Sequence, residues 1–237
     1  MKKHPLDWLL PEFPRIPHLI KTSDISDDDI VVNSDNILEI LANPVIVEEK
    51  LDGSNCGMAY EGNMGYIRNR KHILSKNYTQ EKRTPAKEQF LSAWGWQTDH
   101  KELFMKLYKL AGEQLGVYGE WCLAVHGITY DQLPDKFVAY GLYSPSKKDM
   151  LDVASARTLL SEAGFNLAYK IYEGIVNLND LKVMASEYSN YSSIESREGV
   201  VVKVIDTNEQ YKVLRGNYHQ NVLWDNKIMR KQDSWLK

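Results

Sequence analysis

The chain is poor in the features that mark metal cages, membranes and secretion. Its two cysteines, Cys56 and Cys122, lie far apart and match no metal-ligand spacing, so free thiols in a reducing, cytoplasmic setting are expected. Its six histidines are scattered, and none sits in an HExxH pattern, which argues against a structural zinc site. Long apolar runs are missing. The opening stretch MKKHPLDWLLPE offers only Trp8-Leu9-Leu10, bounded by Asp7, Pro11 and Glu12, too little for a signal peptide. No segment approaches the apolar length of a membrane span, so no membrane partner is expected. The lack of a GxxxxGK[ST] run removes the P-loop enzymes. Surplus positive charge is lacking too. The formal charge is −3, so any hold on nucleic acid must come from local patches. No Gly-Ser or Pro-rich stretch divides the chain, and no internal repeat is visible.

What is present suits one substantial core. A length of 237 residues predicts a single domain over 1–237, with 1–40 as an N-terminal extension packed on it and 219–237 as a short helical tail. Within the extension, residues 1–30 read as irregular, with the acidic run Ser26-Asp27-Asp28-Asp29. Val45-Ile46-Val47 reads as a strand delivering Glu48-Glu49-Lys50-Leu51-Asp52-Gly53 to a turn. Residues 56–68 read as a hairpin turning at Glu61-Gly62-Asn63. Asp99, with Glu102 three residues on, predicts a capping box. The stripe Leu103, Phe104, Leu107, Leu110 and Ala111 gives the helix that follows, with Gly116 as its stop. Strands are expected around 117–123 and 137–143, helices at 152–163 and 179–187. The β-branched run 200–205 and the alternating run 211–215 predict neighbouring strands. Elements mix without regular βαβ alternation, so the fold class is α+β, with mostly antiparallel sheets flanked by helices.

Chemistry is suggested by short polar signals at strand ends. Lys50-Leu51-Asp52-Gly53 comes first, then Tyr118-Gly119-Glu120, then Phe137-Val138-Ala139-Tyr140. Glu198-Gly199-Val200-Val201-Val202-Lys203 and Tyr211-Lys212 follow. Each alone is weak, and Lys50 by itself reads equally well as a solvated lysine before a DG turn; order and spacing together are specific. The series resembles the covalent nucleotidyltransferase superfamily of ATP-dependent ligases and capping enzymes. It is most similar to nick-sealing RNA ligases, of the Deinococcus-type or phage-encoded branch, and the likeness covers roughly residues 14–225. Asn55 stands where DNA ligases and capping enzymes have Arg, and Ile128-Thr129-Tyr130-Asp131-Gln132-Leu133-Pro134 also resembles the RNA ligase branch.

The resemblance implies a ligase adenylylation domain without an OB-fold, since only about twenty residues follow the last motif. It implies ATP as AMP donor, Mg2+ or Mn2+, and RNA carrying a 5′-phosphate and a 3′-OH as partner. No obligate protein partner is evident. Lys50 becomes the nucleophile that forms lysyl-AMP, with Lys212 as second catalytic residue. Glu49, Asp52, Gly53, Asn55, Arg70, Glu120, Tyr140 and Lys203 are expected at the nucleotide, and Glu198 with Glu120 at the metal. Arg70, Lys71, Lys76 and Arg215 are expected on RNA, with Lys82 and Arg83 extending the track.

Physical chemistry supports these residue types. At a pKa near ~10.4 about one free lysine in a thousand is neutral at pH 7, and nearby cations (Lys212, a metal, Lys203) would lower that cost. Gly53 is expected to let backbone approach the nucleotide closely. Tyr140 offers a ring face to adenine where relatives have Phe, and Phe137 competes for that role because a register slip flips the face. Where relatives carry a second lysine in the last motif, this chain has Leu214 followed by Arg215. Alternation puts Lys212 and Leu214 on one face and Arg215 on the other, which leaves the replacement open. Two other readings compete: a DNA ligase or capping-type enzyme, and a degenerate RNA-binding module.

Overall fold

A computed structural model describes residues 4–22, 29–74, 88–216, 218 and 231–235. Nine strands and five α-helices occur among these residues, so the α+β expectation holds. The strands are β1 Val45–Glu49, β2 Ser54–Glu61, β3 Met64–Asn69, β4 Gly116–Trp121, β5 Phe137–Ser144, β6 Asp149–Met150, β7 Lys170–Gly174, β8 Gly199–Val204 and β9 Gln210–Leu214. The helices are α1 Ser34–Leu41, α2 Leu91–Asp99, α3 Lys101–Ala111, α4 Val153–Ala163 and α5 Leu178–Ser186. One sheet runs β7-β1-β8-β9 and the other β3-β2-β4-β5-β6, with every pairing of named strands antiparallel.

Parity along the strands assigns each sheet an inside. In the four-stranded sheet, Val45 and Val47 of β1, Val200, Val202 and Val204 of β8 and Val213 of β9 pack with Leu181 and Ala185 of α5 and Leu41 of α1. Burying each such valine stabilises the fold by roughly 1.5–3 kcal/mol. The alternate positions Glu48, Val201, Lys203, Gln210 and Lys212 therefore face the opposite way, toward the other sheet. The five-stranded sheet packs Met58, Tyr60, Val117, Trp121 and Phe137 on Ala93, Trp96, Phe104, Leu107 and Leu160 of α2, α3 and α4. Its second face is partly covered by Leu9, Leu10 and Phe13 of the N-terminal segment, packed on Ala59, Tyr118 and Met150.

Several expectations change here. Asp99 is the last residue of α2, and α3 begins after His100 with no side-chain cap bond, so the capping box does not form. Helix α3 ends at Gly112, whose φ of 74° is the left-handed turn that glycine accepts, while Gly116 opens β4. Residues 34–41, for which no element is expected, form α1 behind an Asn33 cap at the end of the N-terminal extension. The segment around Pro17–Leu19 bonds to Lys212 on one side and to Ile30 and Val32 on the other, covering the β9 edge. Of the tail 219–237 the described part is 231–235, with a 3-10 turn at Asp233–Trp235; residues 219–230 and 236–237, like Lys76, Lys82 and Arg83, lie outside the described residues.

Candidate active site

The inward faces of the two sheets enclose a cavity of about 550 Å³. Its wall takes Lys50, Gly53, Ser54, Asn55, Glu120, Tyr140, Lys203 and Lys212, with Arg70 and Lys71 at the mouth. Motifs far apart in sequence therefore meet because β1, β8 and β9 are paired on one side and β2, β4 and β5 on the other.

Lys50 follows the end of β1, and its N–H donates to Gly199 O at 3.0 Å, tying it to the start of β8. Its side chain is 24% exposed, and Nζ donates to Glu198 Oε2 at 2.6 Å. Glu120 accepts from Gly53 N at 3.2 Å. Burial pulls the Lys50 pKa down, but Glu198, Glu120 and Asp52 push it up and prevail, so the net shift is upward. The protein's own cations, Lys212 and Lys203, therefore do not by themselves make Lys50 neutral. Burial raises Glu120 to about 8 and Glu198 to about 7, against the pull of Lys50; repulsion from Asp52 adds to both, and repulsion from Glu198 adds to Glu120. One ammonium faces more carboxylate charge than it can balance, so the group has room for a hard cation. Among the described residues no set of three or more His, Cys, Asp or Glu forms a metal cage. Magnesium-like ions need none, because one or two carboxylates with phosphate and water suffice. Glu120 and Glu198 fit that requirement.

Lys212 lines the cavity, with Nζ 3.4 Å from Asp29. Burial chiefly lowers its pKa, and the Lys50 charge adds to that. Lys203 is committed elsewhere. It is 2% exposed, paired with Glu48 at 2.6 Å and donating to Tyr140 O at 2.8 Å, and burial lowers its pKa. Arg157 also pairs with Glu48. Tyr140 reaches the cavity, while Phe137 packs in the core 5.1 Å from Trp96, which settles the register question for Tyr140. Asn55 Nδ2 donates to the Tyr140 hydroxyl at 2.5 Å, and its Oδ1 is buried without a hydrogen-bond partner, leaving one end of the amide for a ligand.

Other candidate residues are placed differently from expectation. Glu49 lines the cavity as a residue, but it shares a strand face with Val45 and Val47, and its carboxylate is bonded to Ser189 Oγ (2.5 Å) and Asn190 N (2.7 Å). Glu48 is the acid beside Lys203. Asp52 points beneath the cavity, accepting from Gly127 N at 2.6 Å and Ile128 N at 2.9 Å. Gly53 lines the cavity and is also constrained by strand β4, since a Cβ there would stand 2.9 Å from Trp121 O and 3.0 Å from Glu120 Cγ. Arg215 leaves the cavity wall as alternation predicts, its guanidinium 5.2 Å from the Tyr218 ring and bonded to Ser196 O. Arg68, the first residue of the basic run, is buried and holds Asp7 (2.9 Å) and Leu10 O (2.7 Å). Arg70 and Lys71 stay exposed on a turn closed by Asn69 Oδ1, which accepts from Lys71 N and His72 N. Sequence reasoning missed Glu48, Arg15, Gln89 and His126 in the wall. Strand parity alone could have found Glu48; the others carry no local signal.

A family model for RNA ligase matches residues 43–215, most of the chain. No curated protein matches. Among solved structures, Naegleria gruberi RNA ligase with PPi superposes with a TM-score of 0.57 at 17% identity, covering 91% of this chain and 61% of that one. A lysine-to-alanine mutant of the same ligase with ATP and Mn gives 0.57 at 18% identity, with 88% and 61% covered. A glutamate-to-alanine mutant with AMP and Mn gives 0.57 at 18% identity, with 86% and 62% covered. The chain thus shares their fold and spans about 61% of the length of the first of them.

Proposed function

The chain belongs to the RNA ligase family, and from that premise we propose that it is an ATP-dependent RNA ligase whose Lys50 carries AMP between substrates. Its described residues act as one adenylyltransferase unit. Lys50 Nζ attacks the α-phosphorus of ATP, the bond to the β-phosphate oxygen breaks, and pyrophosphate leaves. The adenylyl group then passes to an RNA 5′-phosphate, and a neighbouring 3′-OH displaces AMP to join the strands. The observation that carries this reading is Lys50 set between Glu198 and Glu120 in the cavity wall, with Lys212 on the same wall. Lys50 is held as an ammonium by carboxylates. Glu120 and Glu198 would hold a divalent cation, whose chemistry there is to neutralise those carboxylates and phosphate charge. With that charge balanced, burial and Lys212 favour the neutral amine that attack requires. Lys212 stabilises charge on the phosphate. Tyr140 offers its ring to adenine, Asn55 Oδ1 an acceptor, and Arg70 and Lys71 bind phosphate of RNA at the mouth.

The test is incubation with α-labelled ATP and Mg2+ or Mn2+. Label stable to base and labile to acid is expected on the wild-type chain and lost in Lys50→Ala. A folded wild-type chain that takes no label overturns the proposal in favour of a binding module.

A further inference from the structure

Asp52 is the residue of the first motif that turns away from the cavity, and its partners lie in the loop 123–133 between β4 and β5. Gly127 N and Ile128 N both donate to Asp52 Oδ2, and Asp52 N donates to the Tyr130 hydroxyl at 2.8 Å. The backbone two residues after Lys50 is therefore fixed by this loop. Its polar backbone groups are largely buried and need partners. Tyr191 O accepts from Asp131 N and Gln132 N. Others are met by residues 231–235, far along the chain, where Lys231 forms an isolated antiparallel bridge with Ala124.

Gln232 is 0% exposed and uses both ends of its amide on the loop. Its Oε1 accepts from Tyr130 N at 2.7 Å, while Nε2 donates to Ala124 O at 3.2 Å and to Ile128 O at 3.0 Å. Ser234 adds to the hold, its hydroxyl donating to Tyr130 O at 2.9 Å and accepting from Leu133 N at 3.1 Å. Trp235 Nε1 donates to Cys122 O at 2.9 Å. Ile128 and Tyr130, both held by Gln232, are two of the three loop residues that hold Asp52, the third being Gly127.

We propose that Gln232 is a positioning residue for the Lys50 site, acting through Ile128 and Tyr130 on Asp52. It touches neither the cavity nor Lys50. Its two-ended amide sets the loop at the spacing that lets two N–H groups converge on Asp52, and so fixes the turn that aims Lys50. Misplacing a reacting group by about 1 Å from a distant change can cost on the order of a hundredfold in rate. The inference rests on Lys50 being the adenylylated residue.

The measurement is the single-turnover rate of Lys50 adenylylation against ATP concentration, below the melting temperature of each variant. Gln232→Met keeps the volume and removes all three bonds. It is expected to lower the maximal rate about 10- to 100-fold while the ATP concentration for half-maximal rate moves less than about threefold. Tyr130→Phe, which removes the hydroxyl from Asp52 N, is expected to slow the same step. The double variant should be no slower than the slower single one, because both act through one loop. An unchanged rate in folded Gln232→Met overturns the inference, and so does a double variant whose losses multiply. Should the Met variant not fold, Ser234→Ala, which removes one hydroxyl, carries the same comparison. No label on the wild-type chain overturns the reaction itself, whereas a labelled wild type with an indifferent Gln232→Met overturns this inference alone.

Discussion

A lysine ammonium enclosed by Glu198, Glu120 and Asp52 sets one positive charge against three carboxylates, and the imbalance appears in the acids. Burial first, then repulsion from their neighbours, raises Glu120 to about 8 and Glu198 to about 7 from an ordinary 4.5. Between pH 7 and 9 the folded protein keeps protons that the unfolded chain lost near 4.5. Stability is therefore lost as pH rises through the two folded values. The loss over that window is about 2 kcal/mol, or roughly 4–8 °C in Tm for a chain of this size. His18 does not disturb the window, because burial lowers it to about 4 from 6.5 and it is neutral above pH 7 in both states. Mg2+ or Mn2+ should flatten the slope, and Glu120→Gln should remove most of it. Thermal melts at pH 7, 8 and 9, with chelator and with metal, test this; a chelated protein whose Tm holds or rises with pH contradicts the charge arrangement.

At the scale of elements, the tightest joint of the site is where the turn after Lys50 meets β4. A methyl group at Gly53 would press on Trp121 O and Glu120 Cγ, and backbone there cannot swing aside as a long side chain would. Gly53→Ala is expected to cost about 1–3 kcal/mol and to displace Glu120. Thermal unfolding, with Mn2+ affinity as the second reading, checks both; a variant as stable as wild type denies the close approach. Local patterning made much of this framework legible. The β-branched runs of β1 and β8, the Gly62 turn between β2 and β3, and Asp152 and Gly164 around α4 all carry their own signals. The junction of α2 and α3 was not legible. Two helices follow one another through His100, and the stripe that identifies α3 says nothing of a helix directly before it. In the site, motif order put Lys50, Glu120, Glu198 and Lys212 together, because strand ends carry them. It could not say that Glu49 faces away, that Lys203 is spent on Glu48, or that Asp52 answers to residues 127–130. Those facts depend on packing between segments distant in sequence.

Across the whole molecule, charge is distributed so that the proposed attraction for RNA has to be local. The formal charge of −3 repels a polyanion weakly at long range, and the acids of the cavity add to that. Against this stand Arg70 and Lys71 on the turn at the mouth. If these two residues neutralise two phosphates, the slope of log affinity against log salt should shrink by roughly 1.4 for single strands, or 1.8 for a duplex, in Arg70→Ala/Lys71→Ala. The turn itself is closed by Asn69 and backbone, so the double variant keeps its frame and the loss falls on binding rather than folding. Lys50 adenylylation should survive, since both side chains stand at the rim while the proposed nucleophile and its carboxylates lie within. Sealing of a nicked RNA duplex should fall more steeply as salt is raised in the wild type than in the variant. Salt titrations of binding with a 5′-phosphorylated RNA, run beside the adenylylation assay, separate the two steps. Equal salt slopes in the two proteins would move the RNA track away from this turn.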